Sequence, residues 1–431
     1  MREMKNSGFG YLGDIPAHWH TERIKNHLRF SSDKNPGDAT ILSLYREHGI
    51  VPKDSRDDNH NVTSEDTSNY RYVRVGDFVV NKMKAWQGSM GVSDYEGVVS
   101  PAYYVYRFTT SSFDKKYLHY LLRSKCYADE FRRLSGGIRI GQWDLSKTDF
   151  ETTYVAVPPK EEQTEIAKII DFKLNEVDTL VSNVQSQIDK FKAYKQSLIT
   201  EAVTRGLDQS VPVKKSGVDW IDAIPQTWHT SPLKALFSFG KGLPITKENL
   251  TETGIPVISY GQIHAKWNTG VTTHAELYRF VSEEYLDSNP DSLVHKGDMI
   301  MADTSEDKEG CGNCAYIDTD DTVFAGYHTI ILKSLSKTNT KYLAYLFLTD
   351  HWRSQLRKQV SGVKLFSVSK KILGSTTVLI PDCAEEIVAY LDDKCSQIDA
   401  LIQIKQAKIE KLEKYKKSII YEYVTGKKEV Q

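Results

Sequence analysis

The same ordered set of anchors occurs twice along this sequence, which commits the chain to two copies of one fold. Ser7-Gly8, Ile15-Pro16, Trp19, His20 and Thr21 return as Ser216-Gly217, Ile224-Pro225, Trp228, His229 and Thr230, at a constant offset of 209. Gly76-Asp77 then matches Gly297-Asp298, Lys116-Tyr117-Leu118 matches Lys341-Tyr342-Leu343, and Ser135-Gly136 matches Ser361-Gly362. A strand ending in proline follows in each copy, VAVP at 155–158 and VLIP at 378–381. A long helix closes each copy, with YKQSLI at 194–199 and YKKSII at 415–420. The order holds while the offset drifts by about fifteen positions, so the frame repeats and the loops inside it differ. A duplicated frame with divergent inserts suits a reader of a two-part target, each half aimed by its own loops. The plainer alternative is a duplication with no division of function.

No proline or glycine interrupts residues 161–203. Apolar residues recur there with heptad spacing at Val177, Leu180, Val184, Phe191, Tyr194 and Leu198, with Val181 and Ile188 broadening the stripe. The second copy gives Ile398, Leu401, Leu412, Tyr415 and Ile419, with Ile402 and Ile409 beside them and lysines at the intervening seam positions 405 and 408. A 40-residue helix is about 60 Å long, and neither stripe is buried by its own helix. Packing of the two stripes on each other is therefore expected, against the alternative of two amphipathic helices on separate cores. Such a pair sets a distance, which matters for DNA because sites one turn apart lie about 34–36 Å apart. The expected class is α+β with a pseudo-two-fold repeat. Residues 1–158 and 211–382 form mixed α/β domains, 159–210 a helix with its linker, and 383–431 a second helix with a basic tail.

The bulk composition excludes several classes. At 431 residues with 40% hydrophobic content the chain is globular and multidomain. Five cysteines make no disulfide framework, the first ten residues carry no apolar signal core, and no apolar run spans a bilayer. A cytoplasmic protein without a membrane partner is expected. The balance of 56 basic and 57 acidic residues leaves the charge distribution to decide about nucleic acid.

Several stretches resemble one family. GDFVVNKMKAWQG at 76–88 and GVVSPAY at 97–103 look like a target recognition domain of the specificity (S) subunits of type I restriction-modification systems (HsdS). MADTSED at 301–307 and AGYHT at 325–329 resemble another variant of such a domain. PPKEEQ at 158–163 and EAVTRG at 201–206 resemble the start and finish of the family's first conserved helix. PDCAEE at 381–386 departs from the pattern, lacking the second proline and the glutamine, which bears on the first turn of the second helix.

The resemblance covers essentially the whole chain. It implies two target recognition domains held apart by two antiparallel coiled-coil helices, in a cyclic arrangement that brings the chain ends near each other. It implies a non-catalytic subunit that binds double-stranded DNA at an asymmetric bipartite site. It also implies docking of two methyltransferase (modification) subunits on the helical regions, with nuclease/translocase (restriction) subunits joining for cleavage. S-adenosylmethionine would sit on the methyltransferase, and no cofactor on this chain.

Residues 71–143 hold twelve Lys/Arg against six Asp/Glu, which suits a phosphate-facing surface. Within that segment Asn81, Lys82, Lys84, Trp86 and Gln87 interleave amides, cations and an aromatic. Asn and Gln pair with adenine edges, Lys with guanine or phosphate, and Trp wedges or packs. Arg139 and Gln142, flanked by glycines, are expected at base edges. The second-domain equivalents are Thr304, Ser305 and Lys308, then Tyr327 and His328, then Lys364 and Ser367. For each residue the bland reading is a solvated side chain, and Trp86 and Trp143 fit a core equally well.

Three motifs carry little. GFGYLG at 8–13 does not follow a strand within a βαβ unit, so it reads as a turn. CGNC at 311–314 has no second pair at zinc spacing, so no metal is expected. NPDS at 289–292 lacks the rest of an amino-methyltransferase motif. Three rival functions remain: the specificity subunit of a type II-like system that cuts on both sides of its site, a single-chain methyltransferase, and a scaffold that binds no DNA.

Overall fold

Runs of branched and aromatic residues build the same sheet in both copies of the repeat. The structure, a computed structural model, describes residues 2–45, 49–55, 66–137, 143–335, 339–362 and 364–430. Strands β1 (Leu28–Ser31), β2 (Phe78–Asn81), β3 (Met90–Val92) and β4 (Tyr103–Phe108) pair antiparallel in the order β1-β4-β2-β3. Strands β5 (Phe237–Lys241), β6 (Met299–Ala302), β7 (Cys314–Tyr316) and β8 (Thr329–Ser334) pair antiparallel in the equivalent order β5-β8-β6-β7. The central strands β2 and β6 are buried along their full length, which is why FVVN and MIMA read as runs rather than alternations. The Gly-Asp anchor in front of each is a turn staple: Asp77 accepts the Arg74 amide and Asp298 the His295 amide, both at 2.9 Å. Burial pushes the Asp77 carboxyl above the usual carboxylate range.

The chain divides into two compact units, residues 1–185 with 406–431, and 186–405. Each unit holds one mixed domain and one end of each of two long helices, α2 (Lys160–Arg205) and α4 (Ala384–Val424). A short helix in each domain docks on them: α1 (Lys115–Arg123), capped by Asp114, and α3 (Thr340–Phe347), capped by Asn339. In the first unit Lys116 and Tyr120 both bind Asp171, and the Tyr117 hydroxyl donates to the Val424 carbonyl at 3.2 Å. In the second unit Lys341 and Tyr345 both bind Asp392, and the Tyr342 hydroxyl donates to the Val203 carbonyl at 2.8 Å. The KYL anchor therefore repeats because it joins each domain to both helices.

The tryptophan anchors close the same junctions. Trp19 and Trp228 are buried beside the glycines that end the two helices, Gly426 and Gly206, which have φ of 68° and 80°. A β-carbon on Gly426 would stand 2.4 Å from the Pro16 ring and 3.0 Å from Trp19, and one on Gly206 would stand 3.3 Å from Trp228. In the first unit the last turn of the chain thus packs on its opening residues, as the cyclic arrangement requires.

Within each unit the helix ends pair antiparallel. In the first, Val177 and Ile419 share one core cluster and Lys416 meets Asp178 at 2.6 Å. In the second, Gln187 accepts from Lys405 and Asp399 from Lys195, both at 2.6 Å, so the register runs in opposite directions along the two helices. Val177, Val184, Leu198, Ile398 and Ile419 are buried, and Phe191 and Leu412 are half-buried. Leu180, Tyr194, Leu401 and Tyr415 are not in the seam; each is 43–58% exposed beside it. The alternate seam position falls one residue later, at Val181, Ile188, Lys195, Ile402, Ile409 and Lys416, each buried or half-buried. A 3.5-residue repeat admits either choice, and the apolar pattern favours Leu and Tyr over Lys. The lysines are accommodated because a partner on the facing helix meets each ammonium. Burial pulls Lys416 down, but the hydrogen bond and charge of Asp178 outweigh it and hold the ammonium above the usual lysine value.

The second helix lacks one device of the first. Gln163, fully buried, accepts the Asp114 amide at 2.7 Å and donates to the Pro158 carbonyl at 2.9 Å. Ala384 offers no such groups, and α4 begins at that residue. The inserts share a strand order but differ in the extent of pairing. The second domain has a further four-stranded sheet containing one parallel pair, Ile255–Ile258 with Val323–Ala325. The first has two antiparallel ladders, Leu42–Tyr45 with Gly49–Pro52 and Arg71–Val73 with Gly97–Val99, joined through a single parallel bridge between Ile41 and Val98. No helix of the described residues is long and apolar enough to cross a membrane.

Candidate nucleic-acid interface

In the first domain the candidate strip leaves the sheet at the end of β2 and turns back through a 3-10 turn at Ala85–Gln87. Most of its polar groups are engaged in holding the turn. Asn81 is buried, and its side-chain oxygen accepts the Met83 amide at 3.1 Å. The Trp86 indole donates to the Met83 carbonyl at 3.1 Å. Lys82 binds Asp144 at 2.8 Å, and its carbonyl accepts the Leu145 amide at 3.0 Å. Asn81 and Trp86 therefore have structural duties that sequence reading could not foresee, because each bonds a backbone group within three residues.

What the strip presents outward is Met83, 40% exposed, with Lys84 exposed and Gln87 half-buried. Trp86 and Trp143 are both half-buried and pack ring to ring at 5.5 Å and 59°, with the Arg132 guanidinium 5.8 Å from the Trp143 ring. They are neither core residues nor free wedges; they form a partly open platform. Arg139 and Gln142 lie outside the described residues. Gly136 and Asp144 form a backbone bridge, and Asp144 meets Lys82.

The second domain builds a hollow where the first builds a tip. A cavity of about 820 Å³ is lined by Thr304, Ser305, His328 and Ser367, together with Tyr260 and His264. Thr304 and Ser305 pair in a short antiparallel ladder with Ser367 and Phe366. Ser305 is buried, while Ser367 is exposed. His328 has φ of 54°, the one positive value outside glycine among the described residues. Its imidazole lies 3.5 Å from Asp303 and edge-on to Tyr260 at 5.4 Å.

His264, 40 positions from Thr304 in sequence, meets the Thr304 carbonyl at 2.8 Å and Asn313 at 3.0 Å. Sequence reading missed it for want of any local signal. Glu306, Asp307 and Glu309 also line the hollow. Lys308 is turned toward the Phe366 ring at 5.8 Å, Lys364 is exposed, and neither lines the cavity. Tyr327 does not line it either, so four expected residues are brought together and three are not.

The charge follows the shapes. Residues 71–143 carry an excess of six positive charges, whereas the matching residues 292–369 hold nine Lys/Arg and nine Asp/Glu. Cys311 and Cys314 are free thiols, and burial pushes the Cys314 thiol up to about 11. Among the described residues no group of three or more His, Cys, Asp or Glu is placed to hold a metal ion.

A family model for the type I restriction modification DNA specificity domain matches residues 26–189 and 225–414. The type I restriction enzyme MjaVIII specificity subunit of Methanocaldococcus jannaschii is 24% identical over 429 residues, covering 96% of this chain and 93% of the relative. The putative type I restriction enzyme MjaX specificity subunit of the same organism is 23% identical over 441 residues, covering 96% and 95%. One solved chain comes from a structure concerned with complex assembly and conformational transition of the type I R-M system. It superposes with a TM-score of 0.68 at 14% identity, covering 95% of this chain and 98% of that one, which shows a shared fold.

Proposed function

We propose, from the premise that this chain belongs to the type I restriction modification DNA specificity domain family, that it reads an asymmetric two-part DNA site for enzymes carried on other chains. Each domain contacts one half-site through the surface at the end of its central strand. One observation carries the reading: β2 and β6 hold the same place in matching sheets, yet the chain leaving them forms a cationic tip in one domain and an acceptor-lined hollow in the other. A shared frame with different reading surfaces is what two different half-sites demand.

Backbone contacts by lysines such as Lys84 supply affinity, and groups at base edges supply discrimination. The length of the paired helices sets the gap between half-sites. The exposed faces of those helices take two methyltransferase subunits, with nuclease/translocase subunits completing the restriction complex. Methyl transfer belongs to the methyltransferase and its S-adenosylmethionine; this chain works in the cytoplasm without catalysis of its own.

The test exchanges residues 211–382 for the matching domain of a relative and compares the DNA motif methylated by the assembled complexes. The expected result is a change in one half of the motif with the other half and the gap retained. A change in both halves contradicts independent readers, and methylation by the purified chain alone contradicts the division of labour.

A further inference from the structure

We infer that Met83 is a specificity-determining residue of the first domain, an apolar probe that reads the 5-methyl group of a thymine in the major groove. The inference rests on the DNA reading proposed above and deepens it. A single exposed methionine ordinarily means nothing. The backbone of this one is held from both sides by neighbouring side chains. Its amide is bound by the buried Asn81 and its carbonyl by the Trp86 indole, each at 3.1 Å. The residue before it is fixed through the Leu145 amide and the Lys82–Asp144 pair. Both peptide groups of Met83 are therefore tied down, while its side chain is 40% exposed.

Engagement of those polar groups decides what the tip offers. The atoms of Asn81 and Trp86 best suited to a base edge are the ones holding the turn. The thioether stands between two lysines, of which Lys84 is exposed and has no ion pair among the described residues. The exposed Lys84 draws the tip toward phosphate, and an apolar side chain pressed against DNA loses nothing only where it meets an apolar group. On the major-groove edges of the four bases, the thymine methyl is that group. Methionine, unbranched and polarizable, follows the contour of a methyl without demanding one rotamer.

The test uses the complex of the full chain with its methyltransferase and a duplex bearing the methylated motif. Each thymine in the half-site assigned to the first domain is replaced in turn by uracil, which keeps the pairing and loses only the methyl. One replacement is expected to weaken wild-type binding about fourfold, the size of one buried methyl group. The same replacement leaves Met83→Ala unchanged, and Met83→Leu keeps the preference for thymine. Unaltered recognition of the second half-site by both variants shows that they are folded.

Indifference of the wild-type complex to every uracil overturns the inference, as does a half-site without an A·T pair. An equal uracil effect in Met83→Ala overturns it too; a side chain wedged between base steps would instead leave the wild type indifferent to the methyl. Sequence-independent binding by the wild type removes the DNA reading itself, whereas sequence-dependent binding that ignores uracil removes only the role of Met83.

Discussion

The two domains solve one problem with opposite surfaces. Both hang a variable segment on the end of a fully buried central strand. In the first domain the segment exposes Met83 and Lys84 and is braced by an aromatic pair. In the second it walls a cavity of about 820 Å³ with hydroxyls, imidazoles and carboxylates. The frame underneath barely differs, down to the paired Lys and Tyr contacts on Asp171 and Asp392. Duplication has kept what joins domain to helix and released what faces outward, because only the junction must fit the same partner twice.

The junctions offer the sharpest contrast. Both glycines are left-handed, but Gly426→Ala forces a β-carbon into the Pro16 ring, whereas Gly206→Ala meets one ring atom at 3.3 Å. The strained backbone and overpacking together are expected to cost about 3 kcal/mol at Gly426 and about 1 kcal/mol at Gly206. Denaturant unfolding checks both. Equal losses break the contrast.

His328 tests the hollow. His328→Ala keeps the unusual backbone and removes the ring that meets Asp303 and Tyr260. Discrimination in the second half-site is expected to fall about tenfold, one base contact in size, with the first half unaffected. Competition binding on duplexes altered in one half at a time measures it, and relaxation of the first half instead would reverse the assignment of surfaces.

The charge difference predicts unequal salt dependence. Lys84→Ala is expected to lower the slope of log affinity against log salt by about 0.9, one phosphate contact. Thr304→Val is expected to leave the slope unaltered. A salt titration of binding that moves both slopes alike removes the distinction between tip and hollow.

These outcomes also mark how far the sequence could be read. The repeat was legible because its anchors perform fixed duties: Trp19 and Trp228 cover helix ends, and Gly-Asp staples a turn. The helix pair was legible in half its seam, at Val177, Val184, Leu198, Ile398 and Ile419. The other half was read only as apolar neighbours of the stripe at Val181, Ile188, Ile402 and Ile409, and its Lys195 and Lys416 are positions that a hydrophobic pattern passes over, while Leu180 and Tyr415 stand outside. Composition singled out the candidate strips, but not the structural duties within them. Asn81 looks like a base reader until its carboxamide oxygen is seen on the Met83 amide, and His264 joins Thr304 only through the tertiary fold. Met83 itself gave one signal, an apolar residue between two lysines.

The smallest effect concerns the helix pair. Lys195–Asp399 and Lys416–Asp178 are the same contact in the two copies of the repeat. Asp178→Asn is expected to cost about 0.5 kcal/mol at neutral pH, reduced from the buried-pair value because Asp178 is more than half exposed. The folded Lys416 value is raised, so this stability is complete below the ordinary lysine value of about 10.4. It is lost as pH rises through the higher folded value. Unfolding measured at neutral and at strongly alkaline pH should show the difference between variant and wild type vanish at the alkaline end.

The proposed pair of independent readers on one chain requires a plain signature in the DNA that the methyltransferase marks. Mapping methylated adenines in cells that carry this chain with its methyltransferase should give an asymmetric motif of two short specified parts separated by an unspecified gap of constant length. A single uninterrupted motif, or two parts at variable spacing, contradicts a pair of readers fixed by one helix pair.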